Sequence, residues 1–308
     1  MRFVLAFLSI CSASALAQSA GAPRLGWVRG GEAGTVEAVI GIPGAALVSR
    51  AEGIGSAERV LIRPGSAMAL VSMQEGSAAV ARLDRLAQED GVQPLPDALE
   101  HATIAAWSPL GARLILASAA ESRVQVWQAE GEGLSLLREL PIAAERAAVS
   151  DSGEMLAQID GVLYWIGDTG AMQEVTRNLR GDFTFLAGTS SYAWLEDSGL
   201  WIAGGGEAVV VPLPEMEGAR LLVSPVRGGL VLVEPHGESA VLSYWNGKGE
   251  KLGEWECPAA VSGVAATGAE GVLRLVTEGG GPVWMAEFGQ ARGRVFFVPR
   301  VQEEGDEQ

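Results

Sequence analysis

One segment recurs about every forty residues, and that recurrence constrains the chain more than any other feature of it. Its clearest copy spans residues 105–127, AAWSPLGARLILASAAESRVQVW. A small-residue run leads into a Ser-Pro-x-Gly turn, then an apolar run, a polar turn and a second alternating run that ends in Trp127. Ser150-Asp151-Ser152-Gly153, Gly188-Thr189-Ser190 and Ser224-Pro225 mark the same turn in later copies, and Pro64-Gly65 marks it in an earlier one. The copies start near residues 59, 105, 147, 183, 220 and 262. Their apolar runs are short, rich in Val and Leu, and cut by Gly, Pro, Asn or Asp roughly every 8–12 residues, a rhythm that suits strands and not helices. Asp160-Gly161, set between two apolar runs, is a two-residue hairpin signal.

Each copy supplies three strands. The intervening runs LSLLREL, AVVVPLP, KLGEWEC and RVFFVPR supply a fourth. Four strands in about forty residues is the size of one β-propeller blade. Trp127, Trp165, Trp201, Trp245 and Trp284 each fall in or beside a third strand, and Trp27 has similar surroundings. With the Ala79-Val80-Ala81 run these make seven third-strand candidates, although only six copies show a first and second strand. The expected fold is therefore all-β: a propeller of seven blades of four-stranded antiparallel sheet, its N-terminal unit incomplete or divergent. Six blades, with the N-terminal strands closing the ring, is the alternative. That N-terminal unit reads as LGWVRG and TVEAVIGI joined by a glycine-rich hairpin, and the polar connector 87–101 as either a last strand or a rim loop. The recurring tryptophans are expected to fill the wedges between neighbouring sheets.

Ser108-Pro109-Leu110-Gly111, Ser150-Asp151-Ser152-Gly153 and Ser224-Pro225, each after a small or apolar strand, resemble the S-P/D-x-G turn of YVTN-type and other WD-repeat-like β-propellers. The resemblance covers most of residues 59–300. Val126-Trp127 is followed by Gln128, Tyr164-Trp165 by Ile166 and Tyr244-Trp245 by Asn246, so the terminal Trp-Asp of true WD repeats is absent, and no Gly-His precedes these units. What the resemblance implies is architecture. Propellers of this broad type commonly act as binding platforms and some are enzymes, so fold leaves function open.

The N-terminus carries an export signature: Arg2, an apolar stretch 3–10, and Ala15-Leu16-Ala17 as an A-x-A cleavage pattern. Residues 1–17 are expected to be a signal peptide, 18–24 a lead-in, 25–300 one propeller domain, and 301–308 an acidic disordered tail. The chain is thus expected to be periplasmic or secreted and monomeric. Lipidation at Cys11 is a second reading, though Ile10 stands where such sites carry a small residue. With Cys11 removed, Cys257 has no disulfide partner; it alternates with Trp255 and is expected to be a small buried hydrophobe. No later run is long and apolar enough for a transmembrane helix. The formal net charge of -16 argues against a nucleic-acid partner and favours solubility.

No phosphate loop, nucleophile elbow, zinc-protease motif or dinucleotide fingerprint is present. Only two histidines exist. His101 ends the connector and reads as a rim residue. His236, in Glu234-Pro235-His236-Gly237-Glu238, reads as a hairpin tip, with a small metal site as the sharper alternative. Glu75, Asp90, Asp151, Asp160, Asp168, Asp182, Glu196 and Asp197 sit at turns, where carboxylates stabilise the turn itself. Arg59, Arg63, Arg113, Arg123, Arg146, Arg177, Arg180, Arg220 and Arg227 are scattered and form no basic patch. No catalytic, cofactor-binding or metal-ligating residue is assigned, and no cofactor. The expected function is a non-enzymatic binding or scaffold propeller that presents rim loops to a protein or peptide. Two alternatives stand beside it: a hydrolase or lyase with metal or carboxylates at the central channel, and a glycan or small-ligand binder using rim tryptophans such as Trp107 and Trp194.

Overall fold

In a computed structural model the protein forms seven four-stranded antiparallel sheets arranged as the blades of a propeller, with no helix among the described residues. The structure describes residues 23–300, apart from 50–51, 205–206, 215–219, 278–280 and 290–291. The expected signal peptide, Cys11, residues 18–22 and the tail 301–308 lie outside the described residues.

The first blade holds β1 (Arg24–Arg29), β2 (Thr35–Ile42), β3 (Ala45–Val48) and β4 (Glu52–Gly53). The second holds β5 (Ala57–Ile62), β6 (Met68–Met73), β7 (Ala78–Arg82) and β8 (Val92–Pro94), so the connector 87–101 does carry a last strand. The third holds β9 (Ile104–Trp107), β10 (Arg113–Ser118), β11 (Arg123–Glu130) and β12 (Gly133–Leu140). β13 (Arg146–Val149), β14 (Met155–Ile159), β15 (Val162–Ile166) and β16 (Met172–Thr176) form the fourth. β17 (Leu179–Phe185), β18 (Tyr192–Glu196), β19 (Gly199–Ala203) and β20 (Val209–Val211) form the fifth. The sixth is β21 (Leu221–Val223), β22 (Gly229–His236), β23 (Ser239–Asn246) and β24 (Lys251–Cys257); the seventh is β25 (Val261–Ala266), β26 (Val272–Thr277), β27 (Val283–Phe288) and β28 (Gly293–Val298).

Blades two to seven follow one plan, with strands in sequence order from the axis outward. In the third, Leu114 pairs with Trp107 on one side and Trp127 on the other, and the apolar run β10 is buried along nearly its whole length because sheets cover both its faces. Asp160 (φ 49°) and Gly161 (φ 77°) make the tight left-handed turn that the Asp-Gly pair favours. The core lies between blades. Trp127 packs with Met68 and Leu70 of the second blade, and Trp165 and Trp201 both pack into the cluster between the fourth and fifth. Trp127, Trp165, Trp201, Trp245 and Trp284 all lie on third strands. Trp27 does not: it lies on β1, the innermost strand of its sheet. The local apolar pattern resembled that of the others, but nothing in it recorded which edge of the sheet faces the axis.

The first blade departs from the plan. β3 and β4 both pair with β2, through Val39↔Val48 and Thr35↔Gly53, and share the outer position. β1 touches β5 as β10 touches β13 and β22 touches β25, which is the relation of a second strand to the next blade's inner strand. The innermost strand position is unfilled among the described residues. Accordingly β25 lies directly against β5, and the inner ring consists of six strands: β5, β9, β13, β17, β21 and β25. Among the described residues, seven blades thus surround a channel lined by six inner strands.

Two devices join the first blade to the last. Val28, Val39 and Val48 pack with Val272, Met285 and Val298, and Val48 makes a parallel bridge to Arg300. The open inner edge of β1 is capped in step with β26: the Trp27 N–H donates to the Thr267 carbonyl at 2.6 Å, and the Arg274 guanidinium donates to the Arg29 carbonyl. Gly26 (φ +128°) permits the approach, since a Cβ there would sit 2.2 Å from the Thr267 oxygen.

Candidate functional site

The recurring Ser-containing turns meet around the axis at one end of the propeller. Their first residue is a buried hydroxyl in four blades: Ser108, Ser150, Ser224 and Thr267. Each closes its own turn. Ser108 Oγ accepts from the Arg113 N–H at 2.9 Å, Ser150 Oγ accepts from Glu154 at 2.9 Å, and the Ser224 and Thr267 hydroxyls donate to the carbonyls of Gly229 and Val272. A buried backbone group needs such a partner, and the short hydroxyl supplies it without filling the channel. Gly111 (φ +74°) then lets the chain turn back. Neighbouring turns are tied together: the Asp151 carboxylate accepts from the Leu110 N–H at 2.9 Å and the Gly188 N–H at 2.8 Å.

This ring of turns frames a cavity of about 490 Å³ on the axis. Leu61, Ile62, Ala106, Trp107, Val223, Val264 and Ala266 of the inner strands line its wall, and Pro64, Pro109, Leu110, Pro225 and Ala269 of the turns line its mouth. Ser108, Thr184 and Ser224 supply hydroxyls, and Glu270 is the only ionisable lining residue among the described residues. Trp107 is held edge-on to the second blade, its Nε1 donating to the Leu61 carbonyl at 2.9 Å. Arg63 lies 5.9 Å from the Trp107 ring centre and is anchored on the carbonyls of Gly111 (2.8 Å) and Gly131 (3.1 Å). The lining is concave, apolar and pre-formed, which suits desolvation of an inserted apolar group. A single exposed carboxylate has no second ionisable group beside it in this lining to complete an acid–base pair.

The polar residues singled out in the sequence lie elsewhere. His101 (φ 50°) is exposed at the end of the connector, with its N–H bonded to the Gly76 carbonyl at 2.9 Å. His236 pairs with Ser239 to close a two-residue hairpin, and the Glu234 carboxylate is taken up by Arg220 at 2.9 Å. No group of three or more His, Cys, Asp or Glu placed to hold a metal occurs among the described residues. Glu196 accepts from Trp194 Nε1 at 2.8 Å, and Asp197 pairs with Arg180 at 3.1 Å. Asp182 reaches furthest from its own blade: it accepts from Arg146 of the fourth blade at 2.5 Å and from the Leu222 N–H of the sixth at 3.2 Å. Burial pushes its carboxyl above the usual range, with Arg146 pulling the other way. Burial likewise raises the Cys257 thiol, which is fully enclosed between the sixth and seventh blades and is not poised as a nucleophile.

The expected pair of rim tryptophans is not formed. Trp194 is 5% exposed and stacked between Tyr192 and Trp201, with ring centres 5.7 Å apart on each side. Its strand β18 is the second of its blade, covered on both faces, where a large ring serves packing. Trp107 alone reaches the cavity. What the sequence left unseen is that half-buried small residues of five inner strands, far apart in the chain, converge on one apolar chamber.

No protein-family model matches the chain, and no curated protein matches it in sequence. Solved structures share its fold. U3-55K is 13% identical, with a TM-score of 0.53 over 80% of this chain and 83% of that one. The Myceliophteria thermophila Cps50 (Swd1) β-propeller domain is 13% identical, with a TM-score of 0.54 over 80% and 88%. Streptogramin B lyase is 12% identical, with a TM-score of 0.53 over 81% and 85%. At these identities the likeness is one of fold.

Proposed function

We propose that this chain, a seven-bladed β-propeller, is an exported, non-enzymatic binding protein whose channel mouth receives an apolar segment of a protein or peptide partner. The observation that carries this reading is the axial cavity: apolar walls, a rim of interlocked turns, and one carboxylate. Among the described residues the turns around it are held by side chain-to-backbone bonds between blades, so the receiving surface is stiff and little ordering entropy is lost on docking. WD-repeat-type neighbours in fold are compatible with such a role, and streptogramin B lyase shows that the same architecture can carry a reaction. A lyase here needs acid and base groups at the mouth, where Glu270 stands without an ionisable companion. Export rests on residues 1–17, and the mature chain is expected to begin at Gln18.

The test is cross-linking in the native cell envelope with the full chain. Leu110→Lys places an ammonium at the rim without touching the interblade core, and is expected to abolish a cross-linked partner that wild type and an Arg180→Gln control both capture. Equal capture by a folded Leu110→Lys protein counts against the mouth as the docking site. N-terminal sequencing of the envelope fraction checks the cleavage: Met1 retained in the cytosol overturns export.

A further inference from the structure

The side-chain polar groups of the axial chamber are already engaged, with one exception. Ser224 and Ser108 are buried; the first donates to the Gly229 carbonyl, and the Oγ of the second accepts from the Arg113 N–H at 2.9 Å. Thr184 donates to the Phe185 carbonyl at 3.3 Å, and the indole N–H of Trp107 donates to the Leu61 carbonyl. Glu270 is the exception. It lies in the lining on the turn between β25 and β26, exposed, and takes part in no ion pair or side-chain hydrogen bond among the described residues.

The other charged groups at this end of the propeller are turned to the fold itself. Arg63 donates to the Gly111 and Gly131 carbonyls, Arg113 to that of Ala112, Arg138 to those of Gly153 and Gly167, and Arg227 to that of Gly188. None of these arginines enters the lining of the chamber. The Asp151 carboxylate accepts from the Leu110 and Gly188 N–H groups, and Glu154 accepts from the hydroxyls of Ser150 and Ser152. The charge that an entering segment meets beside the apolar walls is therefore that of Glu270. A carboxylate at that edge favours a cation and disfavours a second anion. The net charge of -16 steers the encounter in the same sense.

Resting on the reading of the mouth as a docking site, we propose that the docked segment carries a lysine or arginine beside its apolar anchor, and that Glu270 selects for it. The anchor fills the chamber against Leu61, Trp107, Val223 and Val264. The basic side chain lays its apolar stem along the wall and returns its charged head to the rim at Glu270. An acidic residue in the same place is set against Glu270, so the site rejects as well as selects. Because the pair stands in solvent, it adds modest affinity; its larger effect is on the choice of partner and on the rate of encounter.

The experiment selects peptides from a random phage-displayed heptapeptide library on the full chain and on four variants, each folded by circular dichroism. Wild type is expected to enrich peptides that join apolar residues to a lysine or arginine. Glu89→Gln, which removes an exposed carboxylate far from the mouth and changes the net charge equally, is expected to enrich the same set. Leu110→Lys is expected to lose the apolar enrichment. Glu270→Gln keeps the apolar residues and loses the basic one, and Glu270→Lys exchanges it for Asp or Glu. In fluorescence anisotropy the best wild-type peptide is expected to bind Glu270→Gln roughly three- to fivefold more weakly, with an affinity for wild type that falls as salt rises. Its counterpart with norleucine for the basic residue binds both proteins alike. Apolar enrichment that Leu110→Lys abolishes but that carries no basic bias, or a bias that survives Glu270→Gln, overturns the role of Glu270 and leaves the mouth as a docking site. No enrichment, or enrichment indifferent to Leu110→Lys, overturns the docking site and the basic segment together.

Discussion

The third blade and the first are made from the same strand-forming residues, yet they solve different problems. In the third, β9 to β12 run outward from the axis in order, and the turn between β9 and β10 is closed by a buried serine hydroxyl. In the first, β1 begins one position out from the axis and the split pair β3 and β4 shares the outer edge. The third blade is a regular repeat whose turn is closed by its own serine and tied to the blades on either side. The first is a seam whose edge is satisfied by the last blade, through Thr267 and Arg274. Regular blades therefore tell about stability. The irregular one tells about ring closure.

The largest effect expected from breaking this contrast lies in the regular blade. Leu114→Ala removes a side chain with no exposed surface between the second and third blades and is expected to cost about 2–5 kcal/mol in denaturant unfolding. Gly26→Ala attacks the seam instead. A Cβ meeting the Thr267 carbonyl at φ +128° is expected to cost roughly 1–3 kcal/mol. It should also speed hydrogen exchange across 24–48 while 104–140 keeps its protection, the signature of a locally opening unit. Uniform loss of protection over both regions argues that the seam is as cooperative as the repeat. Ser108→Ala is expected to cost about 1–3 kcal/mol by leaving the Arg113 N–H without its acceptor. The first blade has no corresponding turn among the described residues.

The smallest effect concerns pH. Burial holds the folded Asp182 carboxyl above its unfolded value, so the folded state binds this proton more tightly. The associated stability is present at low pH and is lost as pH rises through the folded pKa. Denaturant unfolding across the mildly acidic range should therefore show wild type losing stability with rising pH relative to Asp182→Asn. Parallel curves for the two proteins contradict a raised pKa at this position.

Much of the architecture was legible in the chain. The forty-residue recurrence, the Ser-Pro-x-Gly turns and the apolar alternation led to seven blades, and four predicted fourth strands match β12, β20, β24 and β28. Those features are local: a turn needs its hydroxyl and its glycine within five residues, and a strand needs alternation. Trp27 shows the limit, because a half-buried aromatic in a strand reads alike at any position in a sheet. Trp194 shows it again, since its depth comes from a neighbouring blade.

The sequence by itself determined the strands, the turns and the repeat, because these follow from propensity and short-range hydrogen bonding. It also set the apolar character of the inner strands through their small and aliphatic residues. Only the tertiary structure decided that, among the described residues, six inner strands serve seven blades, and that side chains of five of them line one chamber. Ring closure brings residue 29 beside residue 274, and which residues meet at that seam depends on how the sheets pack around the axis, a property of the closed ring that no single segment carries.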